Sequence, residues 1–232
     1  FHGATQVASS PRDGAVDPVL VSKTLVSAAI QQGAQVLERC EVFGVDDSSD
    51  EKRKLLRTSC GPLEADQVVL ATGPDRAAVK CFGGFDLPQR STAGVIVVTR
   101  PVKPLLRGIL VAPGVHIHQR LDGRLVLGEQ EGAPDNAAHA ARLAERPTRF
   151  PTEISAGQHA QRLLATARDY LPSIGGVDVD EVIIGWRPLP VDGHPVIGPS
   201  PIDDRIYVAI MHSGVSLAAI TGDLVACELT DG

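Results

Sequence analysis

Two continuous apolar runs constrain the fold of this chain more than any other feature. Both runs lack the apolar/polar alternation of a strand with one solvent-exposed face. They are Val68-Val69-Leu70-Ala71 and Ile206-Tyr207-Val208-Ala209-Ile210. Such runs are typical of parallel strands that are buried on both faces. Each run ends in a glycine-containing turn, Thr72-Gly73-Pro74 in the first case and His212-Ser213-Gly214 in the second. We therefore expect an α/β fold in which both turns lie at one edge of a parallel sheet, where such folds bind ligands.

Helix signals accompany these runs. Asp17-Pro18 combines an N-cap residue with a proline at the first helical position, and Gly33 stands where that helix should end. Residues 152–171 have helical spacing and are halted by Pro172, and residues 217–229 have helical spacing after the second run. Three helices are therefore predicted.

The segment between the first helix and the first apolar run predicts a hairpin. Residues 34–45 alternate and are rich in Val, Leu and Phe, and residues 55–63 form a weaker partner. The polar residues 46–54 between them include the cluster Lys52-Arg53-Lys54. We expect that cluster to be solvated in a loop.

The middle of the chain changes character, because residues 92–128 hold short strand patterns and turn signals but no helix pattern. An antiparallel sheet is predicted, with Asp122-Gly123 as a hairpin turn. Its candidate strands are residues 94–99, 109–111, 115–119 and 124–128. His116 and His118 share one strand face, and without a third ligand they line a pocket or meet solvent rather than bind zinc. Residues 132–146 predict a loop with a short helix.

A stretch rich in proline and glycine, from Gly185 to Pro199, follows the apolar residues Val182-Ile183-Ile184 and carries one cation, Arg187. Proline fixes φ and withholds a backbone donor, so the stretch predicts a rigid loop after a buried strand. Local composition leaves two interpretations of Arg187 open. It is either a solvated residue of a structural turn or a functional cation on a rigid support.

Composition excludes several classes of protein. The 232 residues are 43% hydrophobic and 22% charged, which is typical of a globular protein of one large or two small domains. A net charge of −6 without a long basic block argues against nucleic-acid binding, and no apolar run reaches the length of a membrane span. The four cysteines are far apart and form no CxxC, so we expect no metal or redox motif and reduced thiols in the cytoplasm.

In combination and in order, these motifs resemble the D-amino-acid oxidase family of FAD-dependent oxidoreductases, nearest its glycine and sarcosine oxidase-like branch. The motifs that carry the resemblance are Asp13-Gly14-x-Val16-Asp17-Pro18, Gly33-Ala34-x-Val36, the Val68–Gly73 run, Gly185-x-Arg187-Pro188-x-x-x-Asp192-Gly193-x-Pro195-x-Ile197-Gly198 and Met211-His212-Ser213-Gly214. The resemblance implies a Rossmann-type FAD domain with an inserted antiparallel substrate-binding sheet. On that basis residues 11–80 and 181–232 are assigned to the FAD domain and residues 81–180 to the substrate part.

The resemblance also implies FAD as the cofactor and assigns a set of site residues. The cofactor-binding residues it implies are Val42, Ala71, Thr72, Gly73, Gly185, Ser213, Gly214, Val215 and Ser216. Val42 matches a backbone contact to the adenine, residues 71–73 a turn beside the adenosine and diphosphate, and residues 213–216 the pyrimidine edge of the flavin. Arg187 matches the arginine that holds a substrate carboxylate, and His212 and His116 complete the catalytic candidates. No metal site is expected.

One departure from the family is plain. The family opens with a glycine-rich turn that cradles the diphosphate, and this sequence contains no GxG. We therefore expect an incomplete Rossmann-type domain whose missing N-terminal segment is a partner of this chain, with a homo-oligomer possible.

Two functions follow as hypotheses. The first is a flavin-dependent oxidoreductase that oxidises the C–N bond of an amino acid or secondary amine, with neither nucleic acid nor membrane as a partner. The alternative is a non-catalytic binding or oligomerisation module that retains the substrate sheet and half an FAD site.

Overall fold

The protein is described by a computed structural model that covers residues 8, 10, 12–50, 52–129 and 153–231. The chain divides into two compact units. The first unit comprises Phe1–Val16 and Thr92–Trp186, and the second comprises Asp17–Ser91 and Arg187–Gly232. Assignment of the units to substrate and cofactor, with the boundaries at 80/81 and 180/181, stays a prediction.

A five-stranded sheet with the order β6-β7-β8-β5-β9 organises the first unit. Its strands are β5 (Gln89–Thr99), β6 (Leu110–Ala112), β7 (Val115–Gln119), β8 (Leu125–Gly128) and β9 (Val179–Pro190). The pairs β6–β7, β7–β8 and β5–β8 are antiparallel, which confirms the predicted sheet. The helix predicted at residues 152–171 is also confirmed, as α3 (Glu153–Tyr170), and a 3₁₀ turn (Pro172–Ile174) follows it. The predicted loop at residues 132–146 lies outside the described residues.

The core of the first unit lies between this sheet and α3. One face of the sheet contributes fully buried Val95, Ile117 and Leu127, and α3 contributes Leu163 and Ala167. The strand residues alternate between buried and less buried positions along β7, as a sheet with one covered face requires. Burial of apolar side chains on one face therefore fixes the register of these strands.

Among its described residues, the second unit contains two three-stranded sheets and three helices. The sheet β10-β11-β4 consists of β10 (Val196–Pro199), β11 (Ile206–Ile210) and β4 (Val68–Leu70), and the sheet β1-β2-β3 consists of β1 (Val42–Asp47), β2 (Lys54–Thr58) and β3 (Gly61–Ala65). The helices are α1 (Pro18–Gln31), α2 (Arg76–Gly83) and α4 (Ala218–Asp231). Strands β4 and β11 pair in parallel, with Leu70 opposite Val208. The parallel pairing of the two apolar runs is thus confirmed.

Burial of β4 differs from the sequence-based expectation. Val68 and Leu70 are buried, but Val69 between them is 42% exposed. The prediction that this run is buried on both faces is therefore wrong for β4 in the described part of the chain. The continuous apolar pattern predicted the strand correctly but not what covers its second face.

The first helix forms as its capping signals predict. The Asp17 carboxylate accepts hydrogen bonds from the backbone N–H of Val19 at 2.9 Å and of Leu20 at 3.1 Å. These bonds satisfy donors that a helix N-terminus otherwise leaves unpaired. Gly33 adopts φ +98 just beyond the helix, and no residue of α1 is buried.

The hairpin that follows α1 is shorter than predicted. Residues 34–41 are not extended into a strand, and β1 begins only at Val42. Arg39 has φ +57, a left-handed conformation that interrupts extended backbone. Residues 55–63 are also not one strand, because a turn at Ser59-Cys60 separates β2 from β3.

Lys54 contradicts the prediction of a solvated basic cluster. It is only 4% exposed, and its Nζ donates to Asp47 Oδ1 and Asp203 Oδ2, each at 2.8 Å. Burial opposes the charge of Lys54, but the hydrogen bonds of Asp203 and Asp47 outweigh it and raise the pKa of the ammonium. A buried ammonium persists in a protein only when it is paired in this way. Lys54 thus ties β2 to the turn before β11.

Asp203 belongs to a cluster of charged side chains, here called the Asp203 cluster, whose other members are Lys54, Asp47 and Arg205. Arg205 donates to the Asp203 carboxylate at 3.0 Å through Nε and through Nη2. The hydrogen bond from Arg205, reinforced by that from Lys54, holds the pKa of Asp203 well below its usual range. A carboxyl whose pKa is depressed by folding stabilises the fold above its unfolded pKa, and that contribution is lost as the pH falls.

We expect Asp203→Asn to lower the free energy of unfolding by about 2–3 kcal/mol at pH 7, because it leaves the buried Lys54 with Asp47 as its remaining carboxylate partner. The difference from the wild type should shrink as the pH falls below about 4, where the unfolded carboxyl is protonated. Urea unfolding at several pH values measures both effects.

Asp46→Asn is the matched control, since Asp46 pairs with Arg57 at 2.6 Å but both side chains are half exposed. Its loss should stay below about 1 kcal/mol. Equal losses for the two variants, or a difference that does not change with pH, would show that the Asp203 cluster contributes no more than a surface pair.

Candidate functional site

Three chain connections open at one edge of the sheet β10-β11-β4. The parallel strands β4 and β11 both run toward this edge, and Val196 at the start of β10 lies opposite Ile210 at the end of β11. The connections are residues 71–75 after β4, residues 191–195 before β10 and residues 211–217 after β11. We call this the carboxyl edge. Parallel α/β sheets bind ligands at such an edge because loops and helix N-termini converge there.

The first connection is a tight turn that opens into α2. Gly73 has φ +58, a left-handed conformation, and a Cβ placed there would meet no atom within 4 Å. Asp75 then caps α2, because its Oδ1 accepts from the N–H of Ala78 at 3.0 Å. The result is a strand, an open glycine turn and a helix N-terminus in sequence, an arrangement that presents backbone N–H groups to a ligand.

The third connection, after β11, is the most exposed. Residues 212–216 are all exposed, and α4 begins two residues later at Ala218. The carbonyl of Ser213 accepts from the N–H of Leu217 at 2.9 Å, whereas no described residue accepts from the N–H of Gly214, Val215 or Ser216. Unpaired N–H groups and the positive end of the helix dipole favour a negatively charged or electron-rich ligand group at this point.

Two contacts hold α4 against the end of β11. The Tyr207 hydroxyl in β11 donates to the Glu228 carboxylate in α4, and Thr221 Oγ1 lies 3.5 Å from Met211 Sδ. Burial, together with the neighbouring Glu228 carboxylate, raises the pKa of Tyr207 to about 12, so the phenol remains a hydrogen-bond donor. The helix that follows the exposed turn is therefore held against the strand that precedes it.

The connection before β10 corrects the predicted loop. Strand β9 continues through Gly185 and Arg187 as far as Pro190, and the turn begins only at Val191. Prolines 188 and 190 are tolerated because β9 is the terminal strand among the described strands of the order β6-β7-β8-β5-β9, where one side needs no ladder donor. Arg187 is thus a half-buried residue of a strand and not part of a loop.

Gln89 is a candidate that the sequence did not indicate. Its side chain is 6% exposed, and Nε2 donates to the carbonyl of Gly73 at 3.3 Å. Its Oε1 is buried and has no hydrogen-bond partner in the described part of the chain. The neighbouring backbone is fixed as well, since the N–H of Val191 donates to the carbonyl of Pro88 at 2.9 Å. An unsatisfied buried acceptor beside the Gly73 turn indicates that a donor belongs there.

The other sequence-predicted residues lie elsewhere. Val42 begins β1 in the second sheet of the same unit, beside a bulge between Val42 and Gly44. Gly185 is exposed in β9. The carboxyl edge therefore brings together only a part of the predicted set. The predicted residues that lie at this edge are Ala71, Thr72, Gly73, His212, Ser213, Gly214, Val215 and Ser216.

The two histidines considered as a metal pair lie in β7 of the first unit. His116 and His118 are both half-buried, and the His116 ring packs against Gly128 of β8. Burial, followed by the charges of Arg120 and His116, lowers the pKa of His118. Among the described residues no three His, Cys, Asp or Glu side chains are grouped to hold a metal ion. In the same part of the chain, no helix has the length and apolar character needed to cross a membrane.

Comparison with known proteins gives one consistent result. The family model described as FAD dependent oxidoreductase (DAO) matches residues 2–228. Glycine oxidase of Geobacillus kaustophilus (strain HTA426) is 31% identical over 219 residues, which are 93% of this chain and 54% of that protein. Mitochondrial sarcosine dehydrogenase of Mus musculus is 31% identical over 134 residues, 53% of this chain and 14% of that protein.

A solved structure extends the comparison to three dimensions. The crystal structure of glycine oxidase from Geobacillus kaustophilus matches with a TM-score of 0.73 and 28% sequence identity, covering 89% of this chain and 52% of that one. The fold is therefore shared as well as the sequence pattern. The chain spans about half the length of the glycine oxidases that it matches.

Two of the three predicted site glycines, Gly73 and Gly185, should respond differently to substitution. Gly73→Ala forces an L-residue into the left-handed region and should cost about 1–2 kcal/mol of the free energy of unfolding. Gly185→Ala adds a methyl group in open space at a strand position with no left-handed φ, so we expect a change within about 0.5 kcal/mol. Thermal or urea unfolding of the two variants measures the contrast. A Gly73→Ala variant as stable as Gly185→Ala would contradict the left-handed turn.

Proposed function

The chain belongs to the DAO family of FAD-dependent oxidoreductases, and from that premise we propose that the protein oxidises the C–N bond of an amino acid or a secondary amine. FAD, when bound, supplies the redox chemistry by accepting a hydride, so the protein needs no nucleophile of its own. The observation that carries the proposal is the carboxyl edge, where the Gly73 turn and the unpartnered N–H groups of residues 214–216 open side by side.

The described residues fit the cofactor. The open turn Ala71-Thr72-Gly73 has room for close backbone approach and would lie beside the adenosine and diphosphate. The N–H groups of Gly214, Val215 and Ser216 would face the pyrimidine edge of the flavin, where they and the N-terminus of α4 stabilise negative charge. The backbone of Val42 would contact the adenine. The roles of all of these residues are part of the proposal.

Arg187 is proposed to fix the substrate carboxylate. A guanidinium forms two parallel hydrogen bonds with a carboxylate, which sets the orientation of the substrate as well as its affinity. Its position in β9 supports this role, because a strand holds a side chain more rigidly than a loop does. The named relatives act on glycine and sarcosine, and both of these amines carry a carboxylate. His212 and His116 remain candidates for lining the substrate or flavin site.

We expect Arg187→Ala to lower kcat/KM for a carboxylate-bearing amine by about ten- to a hundredfold, since a charge-assisted hydrogen bond contributes about 1.5–3 kcal/mol. Arg187→Lys keeps the charge but loses the planar fork, so its loss should be intermediate. Steady-state kinetics with glycine or sarcosine and with an amine lacking the carboxylate measure the contrast.

Flavin content is the control for the Arg187 variants and is measured by absorbance before the kinetics. The proposal requires constant flavin content and a loss confined to carboxylate substrates. Equal losses for both substrate types, or loss of flavin, would assign Arg187 to the cofactor instead. A protein that binds FAD but oxidises no amine would favour the alternative of a binding module.

Gln89 is proposed to accept a hydrogen bond from the cofactor through Oε1. Gln89→Leu should weaken FAD binding by about 5- to 15-fold, the equivalent of one hydrogen bond of about 1–1.5 kcal/mol. Without FAD the same variant removes a buried unsatisfied acceptor but also the hydrogen bond from Nε2 to the carbonyl of Gly73, so we expect its free energy of unfolding to stay within about 1 kcal/mol of the wild type.

Fluorescence titration and unfolding of the FAD-free protein measure the two effects separately. Gln67→Leu is the matched control, since Gln67 is exposed just before β4 in the same unit. Unchanged FAD affinity in Gln89→Leu would exclude the proposed contact.

A further inference from the structure

Two of the four cysteines come together in the second unit. Cys40 precedes β1, and Cys60 occupies the turn between β2 and β3. The antiparallel ladder places Val42 opposite Thr58, and one step further the N–H of Ser59 donates to the carbonyl of Glu41 at 2.8 Å. Beyond this bond the chain turns at Ser59-Cys60, and the Cys60 thiol contacts the Cys40 thiol at the end of the ladder.

The end of the ladder and the turn bring the two side chains together. Glu41 and Ser59 are joined by two hydrogen bonds, since the N–H of Ser59 donates to the carbonyl of Glu41 at 2.8 Å and the N–H of Glu41 donates to Ser59 Oγ at 2.9 Å. Cys40 and Cys60 flank this linked pair, and their thiols are in hydrogen-bonding contact. Thiols in contact are compatible with the separation of about 3.5–4.5 Å between Cβ atoms that a disulfide requires.

The Thr58 hydroxyl holds both residues in place. Cys40 Sγ donates to Thr58 Oγ1 at 3.2 Å, and the N–H of Cys60 donates to the same oxygen at 3.1 Å. The hydroxyl in turn donates to the carbonyl of Gly61 at 2.6 Å. Thr58 is 9% exposed, so this hydrogen-bonded junction is largely shielded while Cys60 itself is exposed.

The two thiols differ in acidity. The hydrogen bond with the Cys60 thiol, followed by that with Thr58, lowers the pKa of Cys40. The same contact raises the pKa of Cys60. Cys40 is therefore the thiol that ionises first and acts as the nucleophile, and Cys60 is placed to resolve its oxidised form.

We propose that Cys40 and Cys60 are a peroxide-sensitive thiol pair that forms a reversible disulfide. The Cys40 thiolate attacks the peroxide O–O bond, which yields a sulfenic acid at Cys40 and releases water or an alcohol. The Cys60 thiol then attacks that sulfur, the S–O bond breaks, and one molecule of water, which includes the proton of the thiol, leaves as the S–S bond forms. The peroxide is thereby reduced by two electrons and the thiol pair is oxidised by two.

The other two cysteines supply an internal comparison. Cys81 lies in α2 and Cys227 in α4, and both are exposed. They are therefore accessible to a peroxide but lie on other elements. The proposal does not depend on the proposed amine oxidation, because any peroxide serves as the oxidant.

The test exposes the reduced protein to hydrogen peroxide at a few equivalents and then digests it with trypsin without reduction. Cys40 and Cys60 fall in separate tryptic peptides, residues 40–52 and 58–76, so a disulfide appears as one cross-linked species. We expect this species, a fall in titratable thiols from four to two, and recovery of all four with dithiothreitol. Urea unfolding of the oxidised protein should show a higher midpoint, because the bond restricts the unfolded chain.

Two variants make the result decisive. Cys60→Ser should give no cross-link and leave a sulfenic acid at Cys40 that dimedone traps, whereas the double variant Cys81→Ser/Cys227→Ser should form the cross-link as the wild type does. The proposal is overturned if no peptide joins residues 40–52 to 58–76, or if Cys81 and Cys227 are oxidised as fast as Cys40.

Discussion

The parallel pairing of β4 with β11 is the interaction on which the rest of the second unit depends. It joins two segments that are distant in the sequence, with Leu70 opposite Val208. Because both strands point the same way, the turn after each one reaches the same edge, and the antiparallel strand β10 returns from that edge. The candidate site therefore forms because the two strands run in the same direction. Neither the Gly73 turn nor residues 213–216 would form a site alone.

The second requirement is electrostatic. The Asp203 cluster connects β1 and β2 with the turn leading into β11. Its members are Lys54, Asp203, Arg205 and Asp47. The ammonium of Lys54 is buried, and a buried charge is tolerated only while its partners remain ionised and in place. The cluster therefore joins the small sheet β1-β2-β3 to the segment from which β11 starts. Displacement of either sheet relative to the other within this unit would leave a charge unpaired in the interior.

The sequence predicted most secondary-structure elements but not which side chains contact one another across the fold. The apolar runs, the Asp17 cap and the short strand patterns of residues 92–128 are local signals, and each formed the element that it predicts. Lys54 was expected in solvent because its acidic partner Asp203 is distant in sequence. Arg187 was expected in a loop because prolines discourage a strand, although the terminal position of β9 in its sheet permits them.

Gln89 carries no local signal, since only the fold brings its amide to Gly73. Cys40 and Cys60 likewise carry no local signal, because only the fold brings the turn after β2 to the residue before β1.

The prolines of β9 have a further consequence for association between molecules. A strand at the end of a sheet presents free N–H and C=O groups, on which a strand of another chain can add. Pro188 and Pro190 have no N–H to offer, and residues two apart in a strand direct their backbone groups to the same side. A strand that paired on the side toward which these two nitrogens point would therefore find two consecutive donors absent. The segment that carries Arg187 is thus a poor template for strand addition on that side.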